Sequence, residues 1–110
     1  VVINFYELLT GFTYALFRPS VPYICVGHQY LFLHRDFEFP DKNSCQLWML
    51  RFFTRMTALR SSKKLALSFL EMEQDDMNQI VTVPPLIRQE VTAIRPEKGD
   101  YIHGYMVNSG

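Results

Sequence analysis

The chain opens on an apolar, β-branched run, Val1 to Phe5, interrupted near its carboxyl end by Asn4, which is the pattern of a strand. From Tyr6 to Phe17 the apolar residues Leu8, Leu9, Phe12, Ala15 and Leu16 recur at intervals of three and four. That spacing predicts a helix with an apolar stripe, weakened on propensity grounds by Gly11. Arg18-Pro19-Ser20 ends it, because proline disfavours the helical region for the residue before it. In Pro22 to Gln29, PYICVGHQ, four successive residues, Tyr23, Ile24, Cys25 and Val26, are apolar or aromatic. Such a strand needs cover on both faces, as in a parallel sheet between helix layers. Gly27 then lets the backbone turn, leaving His28 and Gln29 just past the carboxyl end. Strand, helix and strand have the length of a parallel crossover unit.

The run YLFLHRDFEFPDKN from Tyr30 to Asn43 is aromatic and irregular, and is expected as an ordered loop, or a short helical turn, over the carboxyl face of the sheet. Ser44 is a suitable N-cap for a helix from Cys45 to about Leu59. There Met49, Phe52, Phe53, Met56 and Leu59 form the expected inner stripe, with Arg51 and Arg55 on a neighbouring face. Lys63 and Lys64 lead into LALSF, a strand; EMEQDDMNQ follows as an acidic loop, and QIVTV, closed by Pro84-Pro85, is the next strand. The step between these two strands is short for a full crossover helix, so parallel pairing requires the loop itself to cross. Leu86 to Ile94 reads as a helical turn or linker, residues 95–100 as a surface loop, and Tyr101 to Val107 as a last strand. The order of elements predicts an α/β fold: part of a Rossmann-like, mostly parallel sheet with flanking helices, incomplete as a domain.

Composition narrows the function classes. With 110 residues, 48% hydrophobic and 15% aromatic, the chain can build one packed core and is not a disordered segment. Its formal net charge of zero argues against bulk attraction to nucleic acid, so only locally clustered charge can recruit an anionic surface. Cys25 and Cys45 lack CxxC spacing and are expected as reduced thiols of a cytoplasmic protein. No apolar run approaches the roughly 20 residues of a membrane span. A start in mid-strand without Met, and a last strand followed at once by Asn108-Ser109-Gly110, are expected of a segment from something longer. Neither GxGxxG nor a phosphate-binding GxxxxGK[ST] occurs.

The succession VVINFYELLTG, VPYICVGHQ, KKLALSF, IVTVPPLIR and GDYIHGYMVNSG resembles the middle of a two-domain glycosyltransferase of the GT-B type. Within that type it is similar to bacterial enzymes of the peptidoglycan N-acetylglucosaminyltransferase kind. The resemblance implies that residues 1–83 are the later half of the acceptor-side Rossmann-like domain. It makes residues 84–98 the interdomain crossover and residues 99–110 the first strand of the donor-side domain. It further implies that a nucleotide-sugar donor serves the parent protein while this segment carries no cofactor, no metal and no catalytic residue, and is inactive alone. A sugar-nucleotide epimerase of the same fold is an alternative, as is a non-enzymatic α/β module that binds a partner through Tyr30 to Phe39.

Individual residues carry these expectations. His28 and Gln29 match by position a polar pair that such transferases place toward the acceptor, where imidazole and carboxamide can bond a hydroxyl; a plain strand-end cap is the competing role. Asn4 and Glu7 bracket the turn after the first strand, so Glu7 could orient His28, or could simply favour a helix start. Pro84, Pro85 and Arg88 are the interdomain candidates. Arg51, Arg55, Arg60, Lys63 and Lys64, with Trp48, Phe52 and Phe53 nearby, suggest either peripheral contact with an anionic membrane and a lipid-linked acceptor or a solvated helix face. His34 and His103 have no ligand-spaced partner. Unpaired strand edges predict self-association of the isolated chain.

Overall fold

The computed structural model describes residues 1–39, 45–95, 97–102 and 104. Four strands, β1 (Val2–Asn4), β2 (Tyr23–Val26), β3 (Lys63–Leu67) and β4 (Ile80–Val83), form one sheet in the order β1-β2-β3-β4. Every pairing is parallel, with Asn4 opposite Cys25, Cys25 opposite Lys64, and Lys64 opposite Ile80. The sheet is therefore an α/β, Rossmann-like partial fold, open at both edges among the described residues. Between the strands run α1 (Leu8–Phe17), a 3-10 helix (His28–Leu33) and α2 (Cys45–Thr57), and α3 (Gln89–Ala93) follows β4. The expected Ser44 cap lies outside the described residues. So does most of the expected last strand; Tyr101 and Ile102 are exposed and outside any strand.

Because strand order follows chain order, right-handed crossovers put every connecting helix on one face. The core lies there: Tyr14 of α1, Tyr23 and Cys25 of β2, Tyr30 and Leu33 of the 3-10 helix, Ala58, Ala66 and Ile80. Tyr14 and Tyr23 stack with ring centroids 4.4 Å apart. The two faces of β2 are covered unequally, with Tyr23 and Cys25 fully buried on the core face and Ile24 half-buried and Val26 buried on the other. By alternation the second face carries Ile3, Ile24, Val26, Leu65, Leu67, Val81 and Val83, of which Ile3 is exposed, Val26 buried and the others half-buried. Among the described residues no helix is packed over that face, and α3 buries no residue. The β3–β4 connection crosses without a helix, as its length requires.

Both long helices are rotated from the orientation that their apolar stripes predict. In α1 the buried residues are Gly11 and Tyr14, whereas Leu9 and Leu16 are 71% and 74% exposed. In α2 the buried residues are Thr54 and Thr57, whereas Met49, Phe52 and Phe53 are exposed. The physical reason is the close crossing of α1 on the carboxyl end of α2. A Cβ built on Gly11 would stand 2.3 Å from the Met56 carbonyl oxygen and 3.0 Å from that of Thr57. Only glycine allows this approach. Gly11 is thus a packing residue rather than a flaw in the helix, and the interface it creates is backbone-close and polar.

Candidate functional site

In a parallel sheet the carboxyl ends of all strands share one edge, where open α/β folds bind ligands. That edge is formed here by the segments after Asn4, Val26, Leu67 and Val83.

Behind the edge, under α2, lies a saturated polar cluster. Asn4 is 2% exposed; its Nδ2 donates to the carbonyls of Glu7 and Thr57, each at 3.0 Å. Its Oδ1 accepts the Glu7 N–H at 2.7 Å. The Thr57 carbonyl is one of the α2 end groups with no intrahelical partner, and it also accepts from the Tyr23 hydroxyl. Burial, with a further contribution from the Cys25 thiol, pushes the Tyr23 phenol well above its ordinary pKa, so it stays a donor. Thr57 Oγ1 donates to the Thr54 carbonyl at 2.8 Å, and its 3.1 Å contact with the Tyr30 hydroxyl is therefore one it accepts. By the same logic Tyr6 OH donates to Thr54 Oγ1 at 2.8 Å, since that oxygen donates to the Leu50 carbonyl. Tyr6 makes this contact from a left-handed backbone, φ 65°, a strained conformation for a bulky residue.

A second cluster pins the 3-10 helix to the β3–β4 connection. His34 is buried. Its Nδ1 accepts from the Asp36 N–H at 3.2 Å, which leaves Nε2 to donate to the Glu73 carbonyl at 2.8 Å. Asp75, fully buried, accepts from the Arg35 N–H at 2.9 Å, the Asn78 N–H at 3.1 Å and Asn78 Nδ2 at 2.7 Å. Burial alone would raise its pKa, but those hydrogen bonds outweigh it and hold the carboxyl below its ordinary value. No grouping of three or more His, Cys, Asp or Glu among the described residues is arranged to hold a metal ion.

At the edge itself two polar side chains are uncommitted. His28 is exposed and Gln29 half-buried, and neither side chain makes a hydrogen bond with the described residues. Glu7 shares the edge but bonds neither of them; its Oε1 caps α1 by accepting the Leu9 N–H at 3.2 Å. Asn4 and Glu7 therefore have structural occupations, whereas the exposed His28 and the half-buried Gln29 keep free hydrogen-bonding capacity.

Further along the edge a cleft of about 520 Å³ opens between the ends of β3 and β4. Pro84 and Pro85 line it together with Ser68, Phe69, Glu71 and Thr82, and Thr82 Oγ1 is buried without a hydrogen-bond partner among the described residues. Arg88 lies beyond the cleft as the exposed N-cap residue of α3, without a side-chain cap bond. Of the cleft residues the sequence reading picked out Pro84 and Pro85, as interdomain candidates, but passed over Ser68, Phe69 and Thr82, although the rule that picked out His28 applies equally to Ser68, one position past β3.

The basic run is divided between elements. Arg51 and Arg55 stand on α2, but Lys63 and Lys64 begin β3. Lys64 is half-buried, donates from Nζ to the Asn78 carbonyl at 2.8 Å, and has its pKa lowered by burial. Among the described residues no helix is long and apolar enough to cross a membrane.

Compared with known proteins, the chain matches no protein-family model, no curated protein and no solved structure.

Proposed function

We propose that this chain forms the acceptor-side wall of a glycosyltransferase of the two-lobed GT-B type, an enzyme moving a sugar from a nucleotide-activated donor to a hydroxyl acceptor. In this reading residues 1–83 belong to the acceptor-side domain, residues 84–98 cross to the donor side, and residues 99–110 begin the donor-side domain. The observation that carries it is the pair His28 and Gln29, standing at the carboxyl edge of a parallel sheet with no protein partner among the described residues. The cleft at the ends of β3 and β4, bordered by Pro84 and Pro85, lies on the same edge and supports it.

The chemistry asks two things of the whole enzyme: removal of a proton from the acceptor hydroxyl, and stabilisation of the departing diphosphate. This segment serves the first by placement. A neutral His28 imidazole accepts a hydrogen bond from a sugar hydroxyl, and the Gln29 carboxamide both donates and accepts, so together they orient the acceptor. Asn4 and Glu7 act only through the backbone that they hold.

Calorimetric titration with lipid-linked saccharides, and separately with nucleotide sugars, tests this. The chain is expected to bind an acceptor and not the donor, with His28→Ala and Gln29→Ala each weakening acceptor affinity roughly tenfold, the loss of about one good hydrogen bond. Equal acceptor affinity in both variants and the unaltered chain would overturn the reading.

A further inference from the structure

Arg51, half-buried on α2, is a charge without a counterpart. Its Nε is enclosed by the protein and has no hydrogen-bond partner, and its guanidinium forms no ion pair with the described residues. An enclosed, unpaired guanidinium N–H is costly to keep. Its own helix offers no remedy, since residues 42–70 contain no Asp or Glu. Arg51 lines a depression of about 270 Å³ between α2 and the segment after the 3-10 helix, together with Leu47, Arg35, Phe37, Glu38 and Phe39. Two arginines thus border one small cavity. Arg35 is committed only loosely: it pairs at 3.3 Å with Asp36 and with Glu73, both exposed carboxylates, and such surface pairs are weak.

The opposite wall is aromatic and held in place. The Phe37 and Phe39 rings stand 4.8 Å apart, and Phe32 packs against them at 5.4 and 5.7 Å, so the three brace one another. The backbone that carries them is fastened at its root. Asp75 accepts the Arg35 N–H, and the buried His34 donates to the Glu73 carbonyl and accepts from the Asp36 N–H. The His34 and Asp75 bonds therefore present Arg35 and Phe37 to the cavity on a fixed frame. Charge and shape then select the ligand. A guanidinium fork pairs with the oxygens of a carboxylate or a phosphate, and the phenyl rings take a flat apolar body beside them. At about 270 Å³ the cavity falls just below the range of drug-sized sites, which leaves room for one ring and one anionic group. The carboxylate of the exposed Glu38 disfavours a second negative charge.

We infer that this cavity is a binding site for a small aromatic molecule carrying a single oxyanion, a carboxylate or a phosphate monoester, with Arg51 and Arg35 on the anion and Phe37 and Phe39 against the ring. It stands independently of the acceptor reading, because neither His28 nor Gln29 lines it. The competing occupant is Glu38, whose carboxylate would have to leave solvent and turn onto Arg51.

Phenyl phosphate and benzoate are titrated into the chain and followed by backbone amide chemical shifts, beside phenol, which lacks the anion, and inorganic phosphate and acetate, which lack the ring. Phenyl phosphate or benzoate is expected to bind roughly tenfold tighter than any of these three, and the better of the two identifies the anionic group. Arg51→Met removes the charge and keeps an unbranched stem. It is expected to cut that affinity roughly tenfold while leaving the free chain as stable to urea as before, or more so, because an unpaired enclosed charge is gone. Glu38→Gln is expected to raise the affinity about threefold. Absence of binding by both aromatic anions would overturn the inference, as would equal affinity for the ring or the anion alone, or an affinity that survives Arg51→Met. So would a loss of stability shared by Arg51→Met and Glu38→Gln, which would assign the guanidinium to Glu38.

Discussion

Asn4 and Gln29 are both amide side chains at the carboxyl ends of neighbouring parallel strands, yet they stand in opposite conditions. Asn4 is 2% exposed and uses both ends of its carboxamide, holding the turn to Glu7 and the last carbonyl of α2. The Gln29 side chain, like that of His28 beside it, makes no hydrogen bond with the described residues. A buried polar group must be paired for the fold to persist, so the condition of Asn4 is explained by stability alone. Nothing about stability requires a histidine and a glutamine at an open sheet edge. The contrast separates two kinds of polar residue that are indistinguishable as letters: those the fold consumes and those it leaves available.

The largest effect is expected where the consumed region is tightest. Gly11→Ala places a methyl against the Met56 and Thr57 carbonyl oxygens, and backbone cannot rotate away as a side-chain tip can. A loss of about 3 kcal/mol, the upper part of the range for overpacking, is expected in urea unfolding. It would arise even though alanine is the better helix former by about 1 kcal/mol. A neutral or stabilised variant would show that α1 and α2 do not cross this closely. Next comes Asn4→Ala, which leaves the Glu7 N–H and one bond of the Thr57 carbonyl unpaired. About 2 kcal/mol is expected on the same assay, the cost of stranded buried groups.

Much of the architecture is written in the sequence. The strand boundaries at Val2–Asn4, Tyr23–Val26 and Ile80–Val83 follow from β-branched and apolar runs bounded by turn residues. The parallel arrangement follows from their alternation with helices. The orientation of those helices was not legible, for an identifiable reason. Periodicity measures where apolar residues cluster, and the rule that the cluster faces inward assumes the sheet side is the apolar one. In α2 the inner side is set instead by Thr54 and Thr57, which Tyr6, Tyr30, Tyr23 and Asn4 meet with hydrogen bonds from residues distant in sequence. No pattern local to α2 contains those partners. Asp75 is a similar case: within an acidic loop it reads as solvated charge, but Arg35, 40 positions away, turns it into an interior acceptor. His28 and Gln29 were legible because their position relative to a strand end, rather than any partner, defines them.

The smallest expected effect is the one that decides between the two conditions. If His28 and Gln29 are uncommitted, His28→Ala and Gln29→Ala should each change unfolding free energy by less than about 0.5 kcal/mol, as at surface positions without a structural task. The competing role, an imidazole that closes the end of β2 by bonding a backbone carbonyl, predicts instead a cost of about 1 kcal/mol for His28→Ala. Urea unfolding of both variants beside Asn4→Ala on one preparation resolves that difference, because all three are read against the same slope. Gln29 is the sharper of the two, since its half-buried amide would register a partner that an exposed imidazole shares with water. A cost in Gln29→Ala approaching that of Asn4→Ala would move Gln29 into the consumed class and take away the observation on which acceptor recognition at this edge rests.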